Sequence, residues 1–448
     1  MYPYPNKDLF YVDGINKQYI ISTLVDESED AVVLTNDDID ENSFEIRQAI
    51  MTSNPITFQC CMSDYIKFVT HNTEDELMGT PIAVYEVVNY DTDNPIPIGI
   101  FVVKSDNLSI DGKSREIIAY DQMYDIIQQD VTAWYNSLSF PISVKDYRDS
   151  FFSEFAIQQE DIELINDDIQ LPRQFSENDE ISGDTIIKGL AELNGCFIHI
   201  SRTGTANYIY LDRYSIYNEA CYPGNTTFPG NQTFPGLGYT GVYQDIYKSY
   251  YKENTIVWGN YTSCPADGIQ IRNENGDIVY QTNEAAENPY TIINNYTCYY
   301  LTDGQYATIA ERLLNKLKYL SYTPFEGEFM GNPCLEVGDR VRVRTRTDQE
   351  FFSYVFSKST SGILVPFEKV QTPGSYYFGK YNINSNKNKT AAKVRNLEQR
   401  TGNMEKAGSG ALQIQSVAQL PANPQLNVLY LIQGEVEDVS PGGITLNT

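Results

Sequence analysis

The stretch Gly331-Asn-Pro-Cys-Leu-Glu-Val-Gly-Asp-Arg-Val-Arg-Val-Arg-Thr-Arg346 is where the reading of this chain turns. Gly331-Asn-Pro is turn material, and Gly338-Asp339 repeats the signal. From Arg340 the pattern becomes strict alternation. Val341, Val343 and Thr345 fall on one side, Arg340, Arg342, Arg344 and Arg346 on the other. Period two with one apolar and one charged face predicts a half-buried strand. Residues 351–356 predict its return strand. Upstream, residues 307–320 carry Ile309, Leu313 and Leu317 at i, i+4 and i+8, with Ala310 and Leu314 widening the stripe. That spacing predicts an amphipathic helix, capped by Thr302 or Asp303.

Working outward, residues 1–135 are also read as β. Strand-like runs are expected at 19–24, 31–34, 56–61, 82–88, 98–103 and 116–120, separated by turn signals such as Met78-Gly79 and Asp111-Gly112. Several short strands with frequent turns predict a small barrel or sandwich. A helix is expected at 121–129.

Residues 136–245 are read as α+β and acidic. Between Asp146 and Asp184, twelve acidic residues stand against Arg148 and Arg173. Helices are expected at 144–155 and at 184–193. In the second, Asp184 is a candidate cap, Ile186, Ile187, Leu190 and Leu193 form the apolar face, and Asn194-Gly195 is the stop. A hairpin follows, turned at Arg202-Thr-Gly204. The tandem Asn225-Thr-Thr-Phe-Pro-Gly230 and Asn231-Gln-Thr-Phe-Pro-Gly236 predicts a surface loop. In the last part, 386–448, residues 387–406 hold six basic and two acidic residues. Val394, Leu397, Thr401 and Met404 repeat at 3-4-3 spacing, a heptad fragment too short for an autonomous coiled coil. A β-like tail around Tyr430 ends the chain.

Composition narrows the function. The 448 residues include 60 acidic and 32 basic, a net charge of −28, with 41% hydrophobic and 13% aromatic residues. Such a chain can bury sizeable cores and is no disordered acidic tail. The acidity argues against specific nucleic-acid binding, which needs clustered Lys and Arg. No long apolar run and no signal-peptide pattern at Met1-Tyr-Pro-Tyr-Pro are present, so membrane insertion and secretion are not expected.

Chemistry is sparse. Seven cysteines without Cys-x-x-Cys and two histidines, His71 and His199, predict neither a zinc site nor a disulfide scaffold, and each histidine is read as structural. Cys60-Cys61 is read as opposite faces of one strand. Gly236-Leu-Gly-Tyr-Thr-Gly241 matches a dinucleotide fingerprint in letters but lacks the strand before it and the helix after it. Acidic clusters such as Glu160-Asp161 and Asp167-Asp168 are read as solvated faces rather than a glycosidase pair. The 35 tyrosines, paired at Tyr250-Tyr251, Tyr299-Tyr300 and Tyr376-Tyr377, suit strand packing and subunit contact. Catalytic, cofactor and metal residues are therefore all expected to be none.

The ordered set resembles the baseplate or tail-tip hub proteins of tailed bacteriophages, including the N-terminal part of siphophage tail-associated lysins. It consists of a β domain, an acidic α+β middle, and a second β domain with Tyr322-Thr-Pro-Phe325 and the Gly331–Val343 motif. Segments 58–69, 98–103, Ser109-Ile-Asp-Gly-Lys-Ser114 and Ala119-Tyr-Asp-Gln-Met-Tyr-Asp125 fit the same group, and the resemblance covers roughly residues 1–385.

What the resemblance implies is an α+β, β-rich fold with two small β-barrel domains, 1–135 and 246–385, around the acidic middle domain 136–245. A short C-terminal helical linker and docking tail, 386–448, completes it. It further implies a homotrimeric ring in the virion tail tip, made in the bacterial host cytoplasm. Partners would be a distal tail ring protein, a tape-measure protein and tip or fibre proteins, with DNA passing through at ejection and no cofactor. The segment after about residue 385 is too short for the enzyme domain that lysin members carry, so no enzymatic activity is expected. Val394, Leu397, Thr401, Met404 and Tyr430 are the interface candidates. The alternatives are a carbohydrate- or receptor-binding tail protein serving host-cell attachment through Tyr-rich loops, and a cell-wall hydrolase.

Overall fold

Alternation becomes sheet over most of the first stretch. The strands are β1 (Lys17–Thr23), β2 (Val33–Thr35), β3 (Glu45–Ala49), β4 (Tyr65–Thr70), β5 (Pro81–Val88), β6 (Ile96–Leu108) and β7 (Arg115–Tyr120). The structure is a computed structural model. It describes residues 16–24, 31–53, 55–177, 179–211, 256–329, 331–344, 349–363 and 367–378, plus three short strands at 244–246, 413–417 and 428–432 whose side chains, like that of Arg344, are not described. Along β1 every second residue is buried, with Tyr19 and Ile21 facing a core that also holds Phe44, Ile46, Phe68 and Phe101. Asp111-Gly112 makes the β6–β7 turn, with Gly112 at φ +68°.

Residues 56–61 are not a strand. Their backbone donors make no ladder: Phe58 N–H donates to the Tyr290 hydroxyl at 3.1 Å, Gln59 N–H to Thr57 Oγ1 at 3.2 Å and Cys60 N–H to the Phe58 carbonyl at 2.7 Å. Cys60 and Cys61 are therefore both half-buried beside the larger core rather than on opposite faces of a strand.

The middle stretch contains α1 (Met123–Gln128), α2 (Thr132–Ser137), β8 (Ile142–Ser143), α3 (Val144–Glu154), β9 (Gln170–Leu171), α4 (Gly183–Asn194), β10 (Phe197–Ile200) and β11 (Ala206–Ile209). Helix α4 is capped by Ser182, whose extended backbone lets its hydroxyl accept from Thr185 N–H. Asp184, the expected cap, already lies in the first turn and pairs with Lys188 at 2.6 Å. Gly195 stops the helix at φ +61°, and a Cβ there would sit 2.8 Å from Leu313 Cδ2.

The third stretch contains β12 (Gln244–Ile246), β13 (Val257–Trp258), β14 (Gly268–Arg272), β15 (Ile278–Gln281), β16 (Pro289–Ile292), α5 (Asp303–Leu317), β17 (Phe325–Phe329), β18 (Arg340–Arg344), β19 (Glu350–Tyr354), β20 (Ser357–Ser361) and β21 (Phe367–Thr372). Thr302 caps α5 in a capping box with Gln305, and Ile309, Ala310, Leu313 and Leu317 are buried as the spacing required. Val341 and Val343 are buried in β18, but so is Arg340, whose guanidinium lies 4.9 Å from the Phe352 ring centroid. The charged face is thus not wholly in water, because cation–π stacking replaces part of the lost hydration.

The two β stretches share one curled sheet of eleven strands, all neighbours antiparallel, in the order β13-β17-β21-β20-β3-β4-β7-β6-β5-β1-β2. The joint is β3 with β20, running from Glu45 opposite Ser361 to Ala49 opposite Ser357. A second, larger core lies between the middle helices, α5 and the third stretch. It includes Trp134, Tyr147, Phe151, Ile186, Leu190, Leu313 and Phe356. The fold is α+β and β-rich.

The chain divides into two compact units, Met1–Tyr381 and Asn382–Thr448. In the second, β22 (Gln413–Val417) pairs in parallel with β23 (Val428–Ile432), placing Tyr430 opposite Gln415. Val394, Leu397, Thr401 and Met404 lie outside the described residues, as does the Asn225–Gly236 repeat. Among the described residues no helix is long and apolar enough to cross a membrane.

Candidate functional site

The Gly331 motif becomes the loop where the three stretches of the first unit meet. Leu335 presents its carbonyl to two cations: Lys358 Nζ at 2.8 Å and Arg202 Nη2 at 3.1 Å. Lys358 also donates to the Asn332 carbonyl at 3.0 Å, and Lys17 Nζ reaches the Gly331 carbonyl at 2.7 Å. Each lysine has a buried acid beside it, Glu368 at 2.8 Å from Lys358 and Glu86 at 3.2 Å from Lys17. Arg202 extends the clamp to the Pro97 carbonyl at 2.8 Å and to Glu336 at 2.8 Å. Gly338 follows at φ +88°, a left-handed conformation, and a Cβ there would stand 2.3 Å from Ile209 Cγ2. One loop thus fastens β1, β6, the β10–β11 turn and β20.

A second polar cluster lies nearby. Asp64 precedes β4, Asp121 follows β7 and His199 is on β10, at 3%, 3% and 6% exposure. Asp64 Oδ1 accepts from Ala49 N–H at 3.0 Å and Oδ2 from Gln48 Nε2 at 3.2 Å. Asp121 accepts from Ser63 Oγ at 2.7 Å, Met123 N–H at 3.1 Å and Asp64 N–H at 3.0 Å. His199 Nε2 lies 3.1 Å from Asp64 Oδ1 but makes no aligned hydrogen bond. Burial, then the charge of Asp64, pushes the Asp121 carboxyl up to about 7. Burial alone would lower the His199 pKa, but the charge of Asp64, helped by Asp121, leaves it raised. Among the described residues these three are the group whose ligand atoms converge, all within 4.8 Å of one another. His199 also lines a cavity of about 260 Å³ with Gln48, Arg202, Asn207, Glu336 and Asp339.

Two further buried charges hold the middle stretch. Arg148 grips Asp167 in a two-pronged pair, 2.9 Å from Nε and 2.8 Å from Nη2. Asp167 is therefore not the solvated residue the sequence predicts; the arginine compensates its burial. Its neighbour Asp168 is exposed and pairs with Arg312, whose hydrogen bond holds the carboxyl below its usual range. Glu192 on α4 is buried and accepts from Gln59 at 2.6 Å, Tyr290 at 3.0 Å and Asn295 at 3.0 Å. Burial pushes it up to about 7 despite those three donors.

The remaining candidates are dispersed. Cys60, Cys61, Cys196, Cys264, Cys298 and Cys334 are free thiols, and burial pushes Cys60 and Cys334 up to about 11, which suits packing and not nucleophilic attack. His71 is exposed at the end of β4. Tyr300, Tyr376 and Tyr377 are exposed. The grouping of Asp64, Asp121 and His199 has no local spacing signal, since Asp64 and Asp121 alone are 57 residues apart.

No protein family matches the chain, and no curated protein matches it in sequence. Among solved structures it is similar to the 43 kDa tail protein of prophage MuSo2 from Shewanella oneidensis, with 10% identity over 80% of this chain and 97% of that one and a TM-score of 0.45. It is similar also to prophage tail protein gp18 from Listeria monocytogenes EGD-e, with 13% identity over 84% and 99% and a TM-score of 0.45. A tail protein from Neisseria meningitidis MC58 gives 12% identity over 79% and 95% and a TM-score of 0.42.

Proposed function

We propose that this chain is a structural, non-enzymatic hub of a phage or phage-like tail tip. Three copies close into a ring that caps the tail tube, meets a distal tail ring protein and the tape-measure protein, and anchors tip or fibre proteins. The observation that carries this reading is the pair of open ends on the eleven-stranded sheet. Among the described residues β2 and β13 have no further neighbour, and Val33, Val257 and Trp258 are exposed there. Open apolar edges are templates for pairing, and closure of a symmetric ring covers them. The buried charges support the non-enzymatic part, because Arg148–Asp167 and Lys358–Glu368 join elements to one another, as does the half-buried pair Arg202–Glu336.

The net charge of −28 fits the same role, since an acidic channel wall lets DNA pass without sticking. The basic segment 387–406, with Val394, Leu397, Thr401, Met404 and Tyr430, then docks an acidic neighbour. The direct test is mass measurement in solution followed by cryo-EM class averages. A trimer with a threefold ring and central channel is expected; a stable monomer overturns the hub. Clear lysis of peptidoglycan in a zymogram overturns the non-enzymatic assignment.

A further inference from the structure

We propose that Asp64, Asp121 and His199 form a binding site for one first-row divalent cation, Zn²⁺ or Mn²⁺, which ties the β10–β11 hairpin to the curled sheet. This goes beyond the tail role and does not depend on it.

The geometry has the features of a ligand set. The three donor atoms lie within 4.8 Å of one another. With metal–ligand bonds of about 2.1 Å, the 3.1 Å between His199 Nε2 and Asp64 Oδ1 subtends about 95° at a shared ion, an ordinary angle between adjacent ligands. The ring nitrogen is buried and makes no aligned hydrogen bond, although a carboxylate oxygen stands beside it. Two donors aimed at a common point, and not at each other, show this off-line approach.

The surroundings orient the ligands. Asp64 is held by Ala49 N–H and Gln48 Nε2, and Asp121 by Ser63 Oγ and the backbone N–H groups of Asp64 and Met123. Such outer hydrogen bonds fix metal-binding carboxylates in place. Two carboxylates and an imidazole converge in the interior, and a cation bound among them takes the place of the protons they hold. The 260 Å³ cavity lined by His199 and Gln48 supplies an approach from the hairpin side. One imidazole nitrogen with two carboxylate oxygens selects Zn²⁺ or Mn²⁺ over Ca²⁺, which takes six to eight oxygens.

The experiment uses the full chain, stripped with EDTA and dialysed, titrated calorimetrically with Zn²⁺ and with Mn²⁺ alone. One ion per chain and a raised Tm are expected. His199→Gln and Asp121→Asn should each weaken binding by more than about a hundredfold, the loss exceeding that for an outer-shell change. His71→Gln, which removes the other histidine, should leave it unchanged. Should His199→Gln fail to fold, pulsed EPR of the Mn²⁺-loaded His71→Gln chain decides, because an imidazole nitrogen coupling can then come from His199 alone. Absence of binding in the native chain, binding that survives His199→Gln, or an EPR spectrum without nitrogen coupling overturns the site.

Discussion

Arg202 Nη2 donates to the Leu335 carbonyl at 3.1 Å, and this bond fastens the central hairpin to the loop that begins at Gly331. The same guanidinium serves Pro97 on β6 and Glu336, so one side chain bridges all three stretches. Arg202→Ala should destabilise the chain by about 1–3 kcal/mol, because it removes the donors to the Pro97 carbonyl and the Glu336 carboxylate, while Lys358 still serves Leu335. Arg202→Lys should recover little, since an ammonium lacks the planar fork that reaches three partners. Urea unfolding midpoints of the two variants check this, and a Lys variant of native stability would contradict it.

Lys358 and Glu368 are both nearly inaccessible and lie 2.8 Å apart. Lys358→Met strands the acid in the interior and should cost about 3–5 kcal/mol. Adding Glu368→Gln to it should lower the cost, as the residual group is then neutral. The comparison needs both variants unfolded under the same conditions; equal costs would show that the charge itself is not the cause.

Gly338 combines a φ of +88° with a close approach to Ile209. Gly338→Ala should destabilise by about 2–4 kcal/mol through backbone strain and overlap together. Ile209→Ala in the same chain should relieve the overlap but not the strain, so restoration should be partial. A double-mutant cycle measured by thermal unfolding separates the two parts.

Glu192 gives the pH dependence. Burial raises its folded pKa to about 7, above the ordinary 4.5 of a glutamate. The folded state therefore binds the proton more tightly than the unfolded chain. This contribution to stability is fully present below about pH 4.5 and is lost as pH rises to about 7. Glu192→Gln keeps an acceptor for Gln59 and Asn295 and can donate to the Tyr290 hydroxyl. It should raise the Tm at pH 8 by an amount equivalent to a few kcal/mol at most and change it little at pH 4.5. Parallel melting curves across that range would show the variant's advantage growing with pH.

Much of the local structure is legible from neighbours in sequence. Thr302 before α5, Gly195 after α4 and Asp111-Gly112 each act within one turn, over separations where backbone geometry decides, whereas the cap of α4 is Ser182 and not the expected Asp184. The buried stripe of α5 follows from 3.6 residues per turn, and Val341 and Val343 follow from a period of two. Where this logic failed, a distant partner had taken over. Tyr290 accepts from Phe58 N–H, so residues 56–61 form no strand; Arg148 pairs with Asp167, so that acid leaves the solvent.

The β-rich, acidic character of the chain and four of the five α-helices among the described residues follow from side chains a few residues apart, while the short α2 is not among those the spacing predicts. The pairing of β3 with β20, the service of Leu335 to both Lys358 and Arg202, and the convergence of Asp64, Asp121 and His199 come from the closed fold. Those relationships arise when strands and loops far apart in the chain close on one another. A buried charge takes whichever partner the closed fold brings within hydrogen-bonding distance, and no residue spacing encodes that choice.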